Sequence, residues 1–292
     1  MRWFNLTLGI SKRSTEQVLS AHTETPIAAA STTFCYPVAV DYQTLRLSFD
    51  GAIARICLAR TDAINRIDLR ALREIADACD AIAGTEGVSL VVVSADGPDF
   101  CAGWEDAAQG QLRSTTDHLD PFACLAVLPM PVLAVLQGKV ASAGLELVLA
   151  CDLRVAREEA RFSIRDVVDG RVPLAGATAR LPRIAGRTVA AAMLLLGDEL
   201  DAAAAYRCGL VSRVIPSGDF EAQTDALAAR IAANGPIALR YAKEAILNGI
   251  ELPLDQALRY ELDLSVILQT TRDRAEGVQA FLEKRRPRFE GR

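Results

Sequence analysis

Apolar and polar positions change period several times along the chain, and each change marks an element. Residues 45–58, LRLSFDGAIARICL, alternate in polarity on both sides of Asp50-Gly51, which predicts a β-hairpin. Over residues 67–83 the period lengthens: Leu69, Leu72, Ile75, Ala76, Cys79 and Ile82 recur at helical spacing, and Gly84 and Gly87 end the pattern. Residues 88–93, VSLVVV, form a short β-branched apolar run, as in a strand buried on both faces. A turn at Ala95-Asp96-Gly97-Pro98 follows, and a helical pattern at 122–128 leads into a second apolar run at 132–136. Further on, the chain predicts strands at 153–156 and 161–164 and short helices at 177–181, 187–196 and 202–207. Residues 210–215 read as a last strand or edge segment. From Phe220 the pattern is helical to the end, broken at Gly235-Pro236 and Leu252-Pro253. Strands alternating with helices predict an α/β fold.

Three regions follow from this pattern: an extension at 1–44, a core at 45–230 and a helical region at 231–292. The first is rich in Ser, Thr and Ala and carries no clear periodicity, so loose order is expected there. It shows no apolar core of signal-peptide kind; Arg2, Lys12 and Arg13 before the first acid, Glu16, leave an organelle-targeting reading as the competitor.

Composition narrows the function classes. At 292 residues with 51% hydrophobic and 24% charged, the chain can bury a large core, and its apolar lean suits a deep sheet or an oligomer interface. A net charge of −5 without a long basic run argues against nucleic acid as a partner. No apolar run approaches the length of a membrane span. Seven scattered cysteines without a CxxC, and only two histidines, His22 and His118, make a metal site improbable and suggest a reduced, cytoplasmic protein.

The candidate chemistry lies between 133 and 166, where LAVLQGKVASAGLELVLACDLRV passes from an apolar run through small residues into an apolar helix. One carboxylate, Glu146, interrupts that helix, and an acid among apolar neighbours is costly unless something needs it there. The small residues Ala141-Ser142-Ala143-Gly144 allow a backbone N–H to face a ligand at the helix start, where the dipole favours negative charge.

Several separated segments together resemble the crotonase, or enoyl-CoA hydratase/isomerase, superfamily. Asp99-Phe100-Cys101-Ala102-Gly103 is similar to its F-C/S-A-G loop. Gln137-Gly138, Ala143-Gly144-Leu145-Glu146-Leu147 and Cys151-Asp152 through Ala156 resemble its N-G…G-G-G-x-E-L…C-D-x-x-x-A stretch. Ala160-Arg161-Phe162, Gly170-x-x-Pro173, Leu181-Pro182-Arg183 with Gly186, and Ala205 with Gly209-Leu210-Val211 follow in the family's order. The C-terminal EGVQAFLEKRRPRF, residues 276–289, resembles E-G-x-x-A-F-x-E-K-R-x-P-x-F. The match runs from about residue 45 to the end; each segment alone is weak evidence, the ordered series strong.

The resemblance implies a crotonase spiral of ββα units, C-terminal helices that mediate trimerisation, and an acyl-CoA thioester as substrate, with no further cofactor. It places an oxyanion hole at the N–H groups of Ala102 and Ala143, which would stabilise an enolate where its charge develops. It gives Glu146 and Asp166 shared acid/base duty. The other reading of Glu146 is a helix-capping acid. Asp166 departs from the family's glutamate and reaches about 1.5 Å less; the alternative is a solvated loop aspartate paired with Arg165 or Arg171. Asp169 is a substitute base or a surface acid. Arg165 and Arg171 could bind an acyl carboxylate or pair with Asp166 and Asp169. Trp104 could shape the acyl pocket or only pack, and Lys284, Arg285, Arg286 and Arg288 could meet CoA phosphates or line a solvated face. Ser142 on a strand-to-helix turn suggests a serine hydrolase, but the G-x-S-x-G pattern fails at Val140.

The expected function is therefore hydration or dehydration of the α,β double bond of an acyl-CoA. Alternatives are a sibling reaction with one carboxylate (isomerase, decarboxylase or thioester hydrolase) and a catalytically silent acyl-CoA-binding protein. A homotrimer or dimer of trimers is expected. The acyl group is not legible.

Overall fold

The hairpin at the start of the core forms as the alternation predicts. Strand β1 (Leu45–Asp50) pairs antiparallel with β2 (Ile53–Leu58), with Asp50 opposite Ile53 across a two-residue loop. The computed structural model describes residues 42–106, 108 and 120–292; expectations for the extension before residue 42, for Cys35 and for His22 and His118 lie outside the described residues.

Helix α1 (Leu69–Ala83) follows, its first turn capped by Asp68, whose carboxylate accepts the Ala71 N–H at 2.7 Å. Of the stripe the spacing predicts, Ile75, Cys79 and Ile82 are buried, joined by Ala71 and Ala78, while Leu69, Leu72 and Ala76 are partly exposed. The chain then lays down β3 (Leu90–Ala95), the short α2 (Ala123–Ala126), β4 (Val132–Leu136), β5 (Lys139–Ala141) and α3 (Ala143–Leu149). Next come β6 (Leu153–Arg157), β7 (Arg161–Ser163), α4 (Ala177–Ala185) and α5 (Arg187–Ala191), the last running into one π-helical turn at Ala192–Leu196. Strand β8 (Leu200–Asp201), α6 (Ala202–Arg207), β9 (Arg213–Ile215) and four helices complete the chain: α7 (Phe220–Ala232), α8 (Pro236–Gly249), α9 (Leu254–Leu268) and α10 (Arg272–Leu282).

Six strands form one sheet in the order β1-β2-β3-β4-β6-β9, parallel except at the β1 edge. Side chains alternate across it. Val91, Val93, Val132, Ala134 and Leu136 enter the main core, while Leu90, Val92, Leu133 and Val135 face the other way, where α7 covers them with Phe220 and Ala228. A sheet covered on both faces explains the unbroken apolar runs at β3 and β4. A second sheet, β5-β7-β8, stands beside it.

A buried ion pair ties the C-terminal helices to the core. Lys243 on α8 reaches Asp152 at 2.7 Å and donates to the Met130 carbonyl at 3.1 Å, while Asp152 also accepts the Val132 N–H at 2.7 Å. Helix α4 extends past the predicted end at 181 and through Pro182, because Leu181 and Ala185 share one buried stripe. The C-terminal helices break once more than predicted, at Gln269–Thr271, where Thr271 caps α10 by accepting the Arg274 N–H. Among the described residues, no helix is long and apolar enough to cross a membrane.

Candidate active site

Strand β5 acts as a template for the loop at 100–104. The Phe100 N–H donates to the Gln137 carbonyl, the Cys101 N–H to Lys139 and the Ala141 N–H to Cys101, each at 2.9 Å. Gln137 holds the turn before this loop by donating to the carbonyls of Ala95 (2.7 Å) and Gly97 (3.3 Å). Gly144 on α3 permits the closest approach: a Cβ there would stand 2.5 Å from the Cys101 Cβ. Gly103 lies opposite Ser142, where a Cβ would meet the Ser142 Cβ at 3.4 Å. Loop and helix start are thus packed backbone to backbone.

Between β5 and α3 the chain turns at Ser142, with φ +40° and ψ −110°. An L-residue held there costs on the order of 1–3 kcal/mol. Ser142 carries the strained corner, so Ala143 is the first helical residue and needs no positive φ to present its N–H. The Ser142 N–H donates to the Ser163 carbonyl at 2.9 Å, and its hydroxyl donates to Asp166 Oδ2 at 2.8 Å. Helix α3 has only seven residues, so the N–H groups of its first turn matter more than a macrodipole.

Glu146 lies one turn into α3 with no exposed surface. Its Oε1 accepts N–H groups from Ala175 (2.8 Å) and Ala177 (3.3 Å), and its Oε2 accepts the Trp104 indole N–H at 3.1 Å. It caps nothing in its own helix, which removes the capping reading. Burial is the largest effect on its acidity and, with the negative charge of Asp166, pushes its pKa from 4.5 up to about 7; the donors from Ala175, Ala177 and Trp104 restrain that rise. At the far end of α3, buried Arg154 donates to the Val148 and Cys151 carbonyls at 3.2 and 2.7 Å and fixes the helix that carries the acid.

Asp166 is 1% exposed, so it is not a solvated loop aspartate. Of the two arginines offered as its partners, Arg171 pairs with Asp169 at 2.8 Å, and that Asp169 carboxylate is 47% exposed on the surface. Asp169 is therefore no substitute base in this pocket. Arg165 is exposed.

The two expected N–H donors differ. No described residue accepts the Ala143 N–H. The Ala102 N–H donates to the Ile64 carbonyl at 3.0 Å and is already engaged. Two residues on, Gly103 O and the Glu105 N–H both bond Ile67 (2.9 Å each), and the Trp104 N–H between them has no acceptor among the described residues. Sequence reasoning missed Trp104 as a backbone donor because no side-chain pattern records which N–H a loop leaves unpaired. Its ring stacks on Phe122, with centroids 6.0 Å apart, beside Glu146.

The C-terminal cations do not form a free cluster: Arg285 is paired with Glu276 and Glu283. Arg272, Arg286 and Arg288 line a cavity of about 740 Å³ together with Asp273, Glu276 and Glu290. Among the described residues no group of His, Cys, Asp and Glu could hold a metal ion.

Set beside known proteins, the chain matches the enoyl-CoA hydratase/isomerase family over residues 48–292. A 2,3-dehydroadipyl-CoA hydratase from Escherichia coli is 35% identical over 85% of this chain and 99% of that protein. A crotonyl-CoA hydratase from Syntrophomonas wolfei is 30% identical over 85% of this chain and 98% of its own length. The crystal structure of an enoyl-CoA hydratase from Bacillus anthracis superposes with a TM-score of 0.81 at 33% identity, covering 86% of this chain and all of that one. The α/β spiral, the buried acid behind a small-residue turn and these likenesses agree: the chain belongs to the enoyl-CoA hydratase/isomerase family, with the crotonase fold.

Proposed function

We propose that this protein adds water to, or removes it from, the α,β double bond of an acyl-CoA thioester. The observation that carries the proposal is the buried Glu146, its pKa raised to about 7 partly by the neighbouring Asp166 charge. Two acids so placed can divide the two proton transfers of a hydration. One takes a proton from water as its oxygen attacks the β-carbon, and the other delivers a proton to the α-carbon. The intermediate charge resides on the thioester oxygen. The Ala143 N–H, with the Trp104 N–H in place of the engaged Ala102 N–H, is suited to hold it. No redox group or metal enters this chemistry; the CoA ester is the substrate.

The burial of Asp166 supports a two-acid reaction over isomerisation, decarboxylation or thioester hydrolysis with one acid. Replacing Asp166 by Asn and following water addition and double-bond migration separately divides these readings. For the assembly we propose a homotrimer or a dimer of trimers. Ile246 on α8, Leu254, Leu258 and Leu262 on α9, and Ile250 between them are exposed, an apolar face that supports burial against another subunit. Free cysteines at all six described positions suit a reducing, cytoplasmic setting.

The functional test is mass spectrometry of the wild-type protein on enoyl-, hydroxyacyl- and dicarboxyl-CoA esters. The expected result is gain or loss of one water. Loss of CO2, release of free CoA, or no change on any ester would overturn the reading.

A further inference from the structure

Ser142 combines three features that a structural turn alone does not require. It is a non-glycine residue at a φ and ψ that strongly favour glycine. It is only partly buried, although every residue of the helix it precedes is buried. Its hydroxyl donates to Asp166 Oδ2 at 2.8 Å, from a residue 24 positions away. Its N–H is held by the Ser163 carbonyl at 2.9 Å, so the residue is anchored through both backbone and side chain. A glycine would make the same turn without strain and would leave Asp166 without this donor. Aspartate has a short side chain on a loop, and a donor from the opposite wall limits where its carboxylate can go.

We propose that Ser142 is a positioning residue: its hydroxyl aims the Asp166 carboxylate into the site. The same residue ends at the peptide unit that supplies the Ala143 N–H, so one strained corner sets both an acid and an oxyanion donor. Glu146 lies close enough for the charge on Asp166 to raise its pKa. The inference rests on the hydratase reading for its catalytic part, but the hydroxyl–carboxylate contact stands independently of it.

Two substitutions separate the hydroxyl from the strain. Ser142→Ala removes the hydroxyl and keeps the strained corner; Ser142→Gly removes both. Both variants are expected to lose kcat/KM by about a hundredfold, the scale of a misplaced catalytic group. The loss should fall on kcat, with KM within a few-fold of wild type. Melting temperature should divide them, rising in Ser142→Gly and not in Ser142→Ala. Binding of a saturated acyl-CoA, measured by calorimetry in wild type and in both variants, needs no turnover. Affinity is expected to stay within a few-fold of wild type, because the hydroxyl places an acid and not the ester. A parallel loss of affinity overturns the proposal, as does wild-type kcat/KM in both variants, or recovery in Ser142→Gly alone, which would assign the effect to strain. Wild-type protein that binds the ester but turns over none on the panel would overturn the hydratase reading itself.

Discussion

Glu146 is a fully buried acid, with a pKa raised from 4.5 to about 7, and that makes protein stability depend on it in a definite direction. Because the folded pKa lies above the unfolded one, the native state prefers the neutral acid. Its contribution is fully present below about pH 4 and is lost as pH rises through 7. The rise corresponds to roughly 3 kcal/mol. Urea unfolding of wild type and Glu146→Gln from pH 4 to pH 8 should therefore show the difference between them changing by about that amount in the variant's favour at high pH. A constant difference would mean that Glu146 titrates normally. At this scale the sequence was partly legible. Glu146 was visible because a charge interrupted an apolar helix. Asp166 was visible only by its place in a family pattern, since its burial and its contact with Ser142, 24 residues away, arise from tertiary packing. The Trp104 N–H was not visible at all, because backbone donors are freed or engaged by tertiary pairing.

The site depends on elements too short to show a period. Strands β5 and β8 span three and two residues, below the length at which alternation can be read, yet β5 carries the loop at 100–104 and β8 completes the second sheet. The longer strands and α1 were legible because their burial repeats over several turns or alternations. Helix starts and stops were legible where glycine or proline marked them. The break at Gln269–Thr271 had neither and was missed; a threonine cap made it. At this scale the contact between Gly144 and Cys101 is decisive. Gly144→Ala should place a methyl group where only 2.5 Å separates it from the Cys101 Cβ. Overpacking of this kind costs about 1–3 kcal/mol. The displaced loop should lower kcat/KM by about a hundredfold. Thermal unfolding and steady-state kinetics on the same variant check both; wild-type values in both would show that loop and helix start are not one unit.

For the whole molecule, the apolar sheet runs predicted the α/β core, and the fold and family likeness agree with it over residues 48–292. The chain's apolar lean has a second outlet where α8 meets α9, with Ile250 71% and Leu254 75% exposed. Light scattering should find wild-type protein at three or six chains and Ile250→Glu/Leu254→Glu at one; monomeric wild type would contradict the assembly. The central claim is that buried Glu146 performs proton transfer on a CoA ester, and Glu146→Gln tests it most directly. With binding of a saturated acyl-CoA measured by calorimetry alongside turnover of the matching enoyl-CoA, binding should stay within a few-fold. Turnover should fall by about 10²- to 10⁴-fold, the range for loss of a general acid or base. Hydration at the wild-type rate in that variant would contradict the account.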